Sequence, residues 1–224
     1  MGYFSARLFT WLQDAEFYRG LHRQAVGLLP PGAGQVWLDV GCGPGLVTRL
    51  AAAAGYDAIG VDADEQMIHV ARRLARRNNS SARFVQQQLA VLDASVGLAQ
   101  VVSASSFLAV VDDVPQAMAQ LWQAVRPGGQ LLIIEPLPGM TLTQANRLIR
   151  RGAISGKGVN GLRLWAAVRQ GEIRDHSALL YAGHAGRVQF TPLLGGMVGA
   201  WLIRKEMREW MRSFHTMPLS GTPR

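Results

Sequence analysis

The sequence predicts an α/β protein built on a doubly wound sheet of seven strands, mostly parallel with an antiparallel last strand, and helices on both faces. Three observations predict it. Short β-prone runs alternate with helical patterns from residue 35 to residue 136, the order that yields a parallel sheet with crossover helices. A glycine-rich turn joins the first run to the helix after it. Near the end, two β-prone runs flank Gly195-Gly196, the pattern of a hairpin.

The elements follow in order. "FTWLQDAEFYRGLHRQAVGLL" (9–29) reads as one or two helices, whose Phe9, Leu12, Phe17, Leu21, Val26 and Leu28 face a core. Then come the strand "QVWLDV" (35–40), the helix "LVTRLAAAAG" (46–55), the strand "DAIGVD" (57–62), the helix "EQMIHVARRLARR" (65–77) and the strand "ARFVQQ" (82–87). "LAQVVSAS" (98–105) is the fourth strand, and "VPQAMAQLWQAV" (114–125) a helix stopped by Pro127 and Gly128-Gly129. "GQLLIIEP" (129–136) is the fifth strand, while "GRVQFTPLL" (186–194) and "MVGAWLIRK" (197–205) form the closing hairpin. The 224 residues suit one domain, with a helical cap at 1–30, a Rossmann-like core at 34–136, a loose basic insert at 137–185 that faces the substrate as a lid, and the hairpin at 186–205.

The first strand ends in "LDVGCGPG", where Gly41, Gly43 and Gly45 let backbone approach a ligand and Pro44 fixes φ as the helix begins. The spacing is GxGxG, one residue short of the pyrophosphate fingerprint, and no GK[ST] follows to make a phosphate loop. Asp39 stands at the edge of the turn, where a carboxylate repels a diphosphate and suits a cationic group. Asp62 ends the second strand, about 20 residues past the first glycine, where an acid accepts hydrogen bonds from a ribose diol. The implied ligand has an ammonium group, a ribose and no phosphate.

"LDVGCGPG" with "GVDADEQMIHVARR" resembles motifs I and II of the class I S-adenosylmethionine-dependent methyltransferases. "LWQAVRPGGQLLIIEP" and the hairpin "FTPLLGGMVGAWLIRK" resemble the fifth strand and reversed last strand of that fold. The likeness runs from about residue 34 to 136 and is greatest to the small-molecule branch of ubiquinone/menaquinone-type, or type 11-like, methyltransferases. It implies methyl transfer from S-adenosylmethionine, without a metal, to an oxygen, nitrogen, sulfur or carbon atom of a small or medium-sized molecule, leaving S-adenosylhomocysteine. Asp39 and Gly41, Cys42, Gly43 and Gly45 would hold the methionine moiety, Asp62 the ribose, Ala63 and Met67 the adenine face, with Gln88 and Leu89 at the adenine edge and Ser103 and Ser105 where the fourth strand meets the cofactor. Two departures stand out: glutamine occupies the acidic position near 88, and "SASSFLAVV" replaces the usual acceptor-side stretch. That second departure motivates an alternative, a non-catalytic subunit that binds the same ligand and regulates a partner enzyme. A nicotinamide-dependent oxidoreductase ranks third.

His22, His69, His176, His184 and His215 are conceivable bases. His176 and His184 lie just before the hairpin, where the acceptor pocket of the fold opens, and Tyr18 stands where the N-terminal helix can close over the cofactor. His69 sits mid-helix and reads as a surface residue, and "ARRLARR" (71–77) as a solvated face. Cys42, the sole cysteine, has no base beside it and reads as a small residue lining the turn.

The net charge of +8 is carried mainly by arginine. Arg147, Arg150, Arg151, Lys157, Arg163 and Arg169 fall in the insert and suit an anionic acceptor or a lipid headgroup. Nucleic acid is disfavoured, because aromatic residues do not interleave with the basic run. One cysteine, no leader pattern and no long uncharged apolar stretch point to a cytoplasmic protein, monomeric or homodimeric.

Overall fold

A strand buried on both faces carries apolar side chains without alternation, and in "VWLDV" every residue but Asp39 is apolar. In the computed structural model, which describes residues 11–12, 15–88, 98–156, 158–169, 173, 175–181 and 187–206, it forms β1 (Val36–Val40). β1 pairs in parallel with β2 (Asp57–Asp62) on one side and β4 (Ala99–Ser105) on the other. With β3 (Arg83–Gln86), β5 (Val125–Pro136), β6 (Val188–Leu193) and β7 (Val198–Arg204), the order is β3-β2-β1-β4-β5-β7-β6. β7 lies antiparallel between β5 and β6, pairing Ile133 with Trp201 and Phe190 with Trp201. Both hairpin strands thus form as the sequence predicts.

From β1 the chain winds outward through β2 and β3, then returns to place β4 on the other side of β1. The carboxyl ends of β1 and β4 therefore flank the topological switch point, the place where doubly wound sheets bind ligands.

Each helix follows from local chemistry. α1 (Glu16–Val26) turns Tyr18, Leu21, His22, Ala25 and Val26 inward. α2 (Leu46–Ala53) starts at a left-handed Gly45, and α3 (Glu65–Arg77) is capped by Asp64, whose carboxylate accepts from Gln66 N at 2.8 Å. α4 (Val114–Ala124) has Pro115 in its first turn and Asp113 as its cap. α5 (Leu142–Arg150), α6 (Gly158–Arg169) and α7 (Ser177–Tyr181) occupy the 137–185 segment.

Alternation along the strands divides the core. Trp37, Leu132 and Ile134 face α1, α2 and α6, while Leu38, Leu131 and Ile133 face α4. Three details differ from the sequence reading. β5 begins at Val125, four residues early, because Pro127, which cannot donate to a ladder, is absorbed in a register shift between Ala99 and Val101 of the partner strand. The basic segment is also less loose than its glycines suggest, since Ala145, Leu162, Trp165 and Ala166 bury into the same core as Tyr18. Arg72, placed on a solvated face by the sequence, instead donates to the Phe84 carbonyl at 2.8 Å, tying α3 to β3.

Candidate functional site

The turn after β1 has its shape imposed from both sides. A Cβ on Gly41 would come within 2.5 Å of the Phe107 ring, and one on Gly45 within 2.3 Å of the Phe84 ring, both at positive φ. Cys42 N donates to the Val61 carbonyl at 3.0 Å and Gly43 N to Asp62 Oδ2 at 2.8 Å, so the turn is held against the end of β2. Burial pushes the Cys42 thiol well up, and it is inert as a nucleophile.

The two aspartates serve different ends. Asp39 is buried, and its Oδ2 accepts from Thr48 Oγ1 at 2.7 Å and Thr48 N at 3.1 Å while Oδ1 accepts from Ser103 Oγ at 2.7 Å. Ser103 in turn accepts from Trp37 Nε1 at 2.8 Å. Asp39 thereby pins the first turn of α2 and the end of β4 to β1. Burial pushes its carboxyl up to about 6, against the pull of the bonds from Thr48 and Ser103. Asp62 is only part-buried; Oδ2 takes the Gly43 N–H and Oδ1 the Asp64 N–H at 2.9 Å, leaving lone pairs on both oxygens for a ligand. Burial raises its pKa as well.

A cavity of about 300 Å³ opens at these strand ends, within the usual size of small-molecule sites. Asp39, Gly41, Cys42, Gly43, Asp62, Ala63, Met67, Ser105 and Tyr18 all stand on its wall. Gly45 lies beneath the turn against Phe84, and Ser103 lies behind Asp39. Gln88 is exposed and off the wall, where Gln87 stands instead; Leu89 lies outside the described residues. His176 sits at the start of α7, off the wall, its carbonyl accepting from Leu180 N, and His184 and Lys157 lie outside the described residues.

His22 joins the wall instead, one turn after Tyr18 on the inward face of α1. Its Nδ1 lies 2.8 Å from the Tyr18 carbonyl oxygen and its Nε2 2.9 Å from Ser105 Oγ. Burial pushes it down to about 4, so the ring is neutral at pH 7. The helical spacing of Tyr18 and His22 is the signal that marks it; nothing in the sequence pairs it with Ser105. Beyond Tyr18 lie two more buried charges that motif reasoning does not reach together. Glu135 accepts from Phe107 N at 2.7 Å and Leu108 N at 2.8 Å, and burial pushes it up to about 7. Arg169, 8% exposed, lowers the pKa of both Glu135 and Tyr18, whose hydroxyl burial raises. Among the described residues there is no group of three or more metal-ligating side chains.

The strand order, the reversed β7 and the glycine turn at the switch point define a methyltransferase-type doubly wound fold. The comparisons agree with this geometry. Residues 38–133 match the family model of a methyltransferase domain. The chain is 33% identical over 98 residues to the ubiquinone biosynthesis O-methyltransferase of Methylococcus capsulatus, covering 43% of this chain and 41% of that protein. It is 31% identical over 144 residues to the nocamycin O-methyltransferase of Saccharothrix syringae, covering 62% of this chain and 51% of that one. The chain therefore spans about half or less of the curated relatives it matches. The solved plantazolicin methyltransferase BpumL in complex with S-adenosylhomocysteine superposes with a TM-score of 0.60 at 15% identity, over 89% of this chain and 90% of that one, a likeness of fold. Residues 38–133 thus resemble a methyltransferase domain, and the fold of the chain is that of the solved methyltransferase.

Proposed function

We propose that the protein transfers the methyl group of S-adenosylmethionine to a small or medium-sized molecule. The observation that carries this reading is the Gly41–Gly45 turn bonded to Asp62 beside the cavity. A phosphate-free nucleoside fits it, since the oxygens of Asp62 can accept from ribose hydroxyls and Ala63 and Met67 offer apolar surface to a base. Asp39 has both oxygens engaged inside the protein, so its attraction for the ligand's ammonium group acts through its charge across the turn. When bound, the cofactor supplies a methyl group on a neutral leaving group. The chain's own task is then to hold an acceptor at attack distance in a closed pocket.

The acceptor enters from the side of Tyr18, Ser105 and Phe107, and an acidic group on it is part of this reading. Arg147, Arg150, Arg151 and Arg163 are exposed, whereas Arg169 is buried beside Tyr18 and Glu135, where a guanidinium suits a carboxylate. A cytoplasmic setting belongs to the same reading and is supported by a chain with one cysteine.

The test is transfer of label from methyl-tritiated S-adenosylmethionine to the small-molecule fraction of a cell extract. Label should appear with the native protein and be lost with Asp62→Ala. A protein that binds S-adenosylhomocysteine, labels nothing and retains a partner enzyme would support the regulatory reading instead.

A further inference from the structure

His22 and Ser105 meet at the cavity wall from opposite ends of the Rossmann-like half, with 2.9 Å between Nε2 and Oγ. The other ring nitrogen faces the Tyr18 carbonyl at 2.8 Å, and a carbonyl only accepts. Nδ1 therefore carries the proton of the neutral ring and Nε2 is the acceptor. The Ser105 hydroxyl donates to Nε2, which leaves its oxygen lone pairs without a bonded donor among the described residues. Ser103, two positions earlier on the same face of β4, is the contrast: it donates to Asp39, accepts from Trp37 and is sealed from the cavity. The Tyr18 ring packs against the imidazole with centroids 4.4 Å apart and planes tilted by 44°.

We propose that Ser105 and His22 form a proton relay for an acceptor that still holds its proton, a phenolic or enolic hydroxyl; this rests on the methyl-transfer reading above. The acceptor O–H donates to Ser105 Oγ, and Ser105 donates to His22 Nε2. As the oxygen–methyl bond forms, the electron pair of the broken carbon–sulfur bond stays on sulfur, the acceptor proton moves to Ser105 Oγ, and the serine's proton moves to His22. The positive charge that leaves sulfur reappears on the imidazole, so the pocket gains no net charge. Asp39 and Asp62 stand on the wall and Glu135 behind Phe107, and among the described residues Arg169 is the one buried cation on this side. A carboxylate or thiolate acceptor would need no such device.

Three variants test the relay: His22→Gln, Ser105→Ala and Ser105→Thr, which keeps the hydroxyl. Nitrogen-15 spectra of the histidine-labelled protein should give an unprotonated Nε2 between about pH 5.5 and 8, shifted by Ser105→Ala and restored by Ser105→Thr. S-adenosylhomocysteine affinity should stay within about twofold in His22→Gln, because the ring serves the acceptor. Methyl transfer to catechol and 4-hydroxybenzoate should lose about a hundredfold or more in kcat in His22→Gln, with little change in KM. The residual rate of that variant should rise with pH as the acceptor ionises, whereas the native rate stays flat. A protonated Nε2, a native kcat in His22→Gln, or a native protein that binds S-adenosylhomocysteine but labels benzoate, thiophenol or nothing in place of the hydroxyl probes would overturn the relay. Failure to bind S-adenosylhomocysteine at all would overturn the methyl-transfer reading beneath it.

Discussion

Between Asp39 and Thr48 the chain supplies, without interruption, a strand end, three left-handed glycines and a carboxylate that locks the next helix in place. The opposite wall of the same cavity is assembled from α1, the tip of β4 and the loop after it, with Glu135 of β5 and Arg169 of α6 behind. The first end uses backbone and one acid at each of two strand ends; the second uses side chains that only the finished fold brings together. Recognition of the first kind is written as spacing along the chain. Recognition of the second kind has no spacing to read.

The comparison can be broken by substitution. Gly45→Ala forces a left-handed alanine whose Cβ sits 2.3 Å from the Phe84 ring, and should cost about 2–4 kcal/mol in urea unfolding. A neutral effect would mean that the turn is softer than its geometry. Asp62→Asn should weaken S-adenosylhomocysteine binding by about ten- to a hundredfold in calorimetry, since it removes charge from an oxygen pair already holding Gly43 and Asp64. An equal loss from Ser105→Ala would erase the distinction between the two ends.

Acidity sharpens the contrast further. Asp39 and Glu135 titrate near 6 and 7 in the native state, above the ordinary carboxylate range, because both are buried. Between about pH 4 and 7 these two carboxyls hold protons that the unfolded chain has released, which lowers the stability of the ligand-free protein as pH rises; His22, pushed down to about 4, opposes this, but the two carboxyls together outweigh it. Urea midpoints measured from pH 4.5 to 7.5 should fall, and Asp39→Asn should flatten part of the slope. Ligand binding should run the other way. An ammonium group favours ionised Asp39, so S-adenosylhomocysteine affinity should rise about tenfold from pH 5 to 7. The smallest effect belongs to neither end: Arg83→Ala breaks an exposed pair with Asp57 at 2.7 Å and should cost below about 1 kcal/mol.

The sheet was legible because alternation of apolar runs and turn residues encodes it directly, down to Gly195-Gly196 between β6 and β7. Gly41, Gly43 and Asp62 were legible for the same reason, each being tied to a strand end. Asp39 was found by position, but its bonds were not, since Thr48 and Ser103 reach it only after α2 and β4 pack on β1. Gln87 stands on the wall in place of Gln88, because β3 ends at Gln86 and the Gln87 N–H still donates to the Asp62 carbonyl. His22 stood among several histidines until α1 buried it against Ser105, a contact across 83 positions that no local pattern announces.

On the methyl-transfer reading, the glycine turn and Asp62 bind a phosphate-free, amino-acid-bearing nucleoside. Calorimetric titration of the full chain with S-adenosylhomocysteine, NAD and NADP tests it most directly. One-to-one binding of S-adenosylhomocysteine, abolished in Asp62→Ala, with no heat from either dinucleotide, is the expected result; binding of NAD or NADP without S-adenosylhomocysteine would overturn the nucleoside reading.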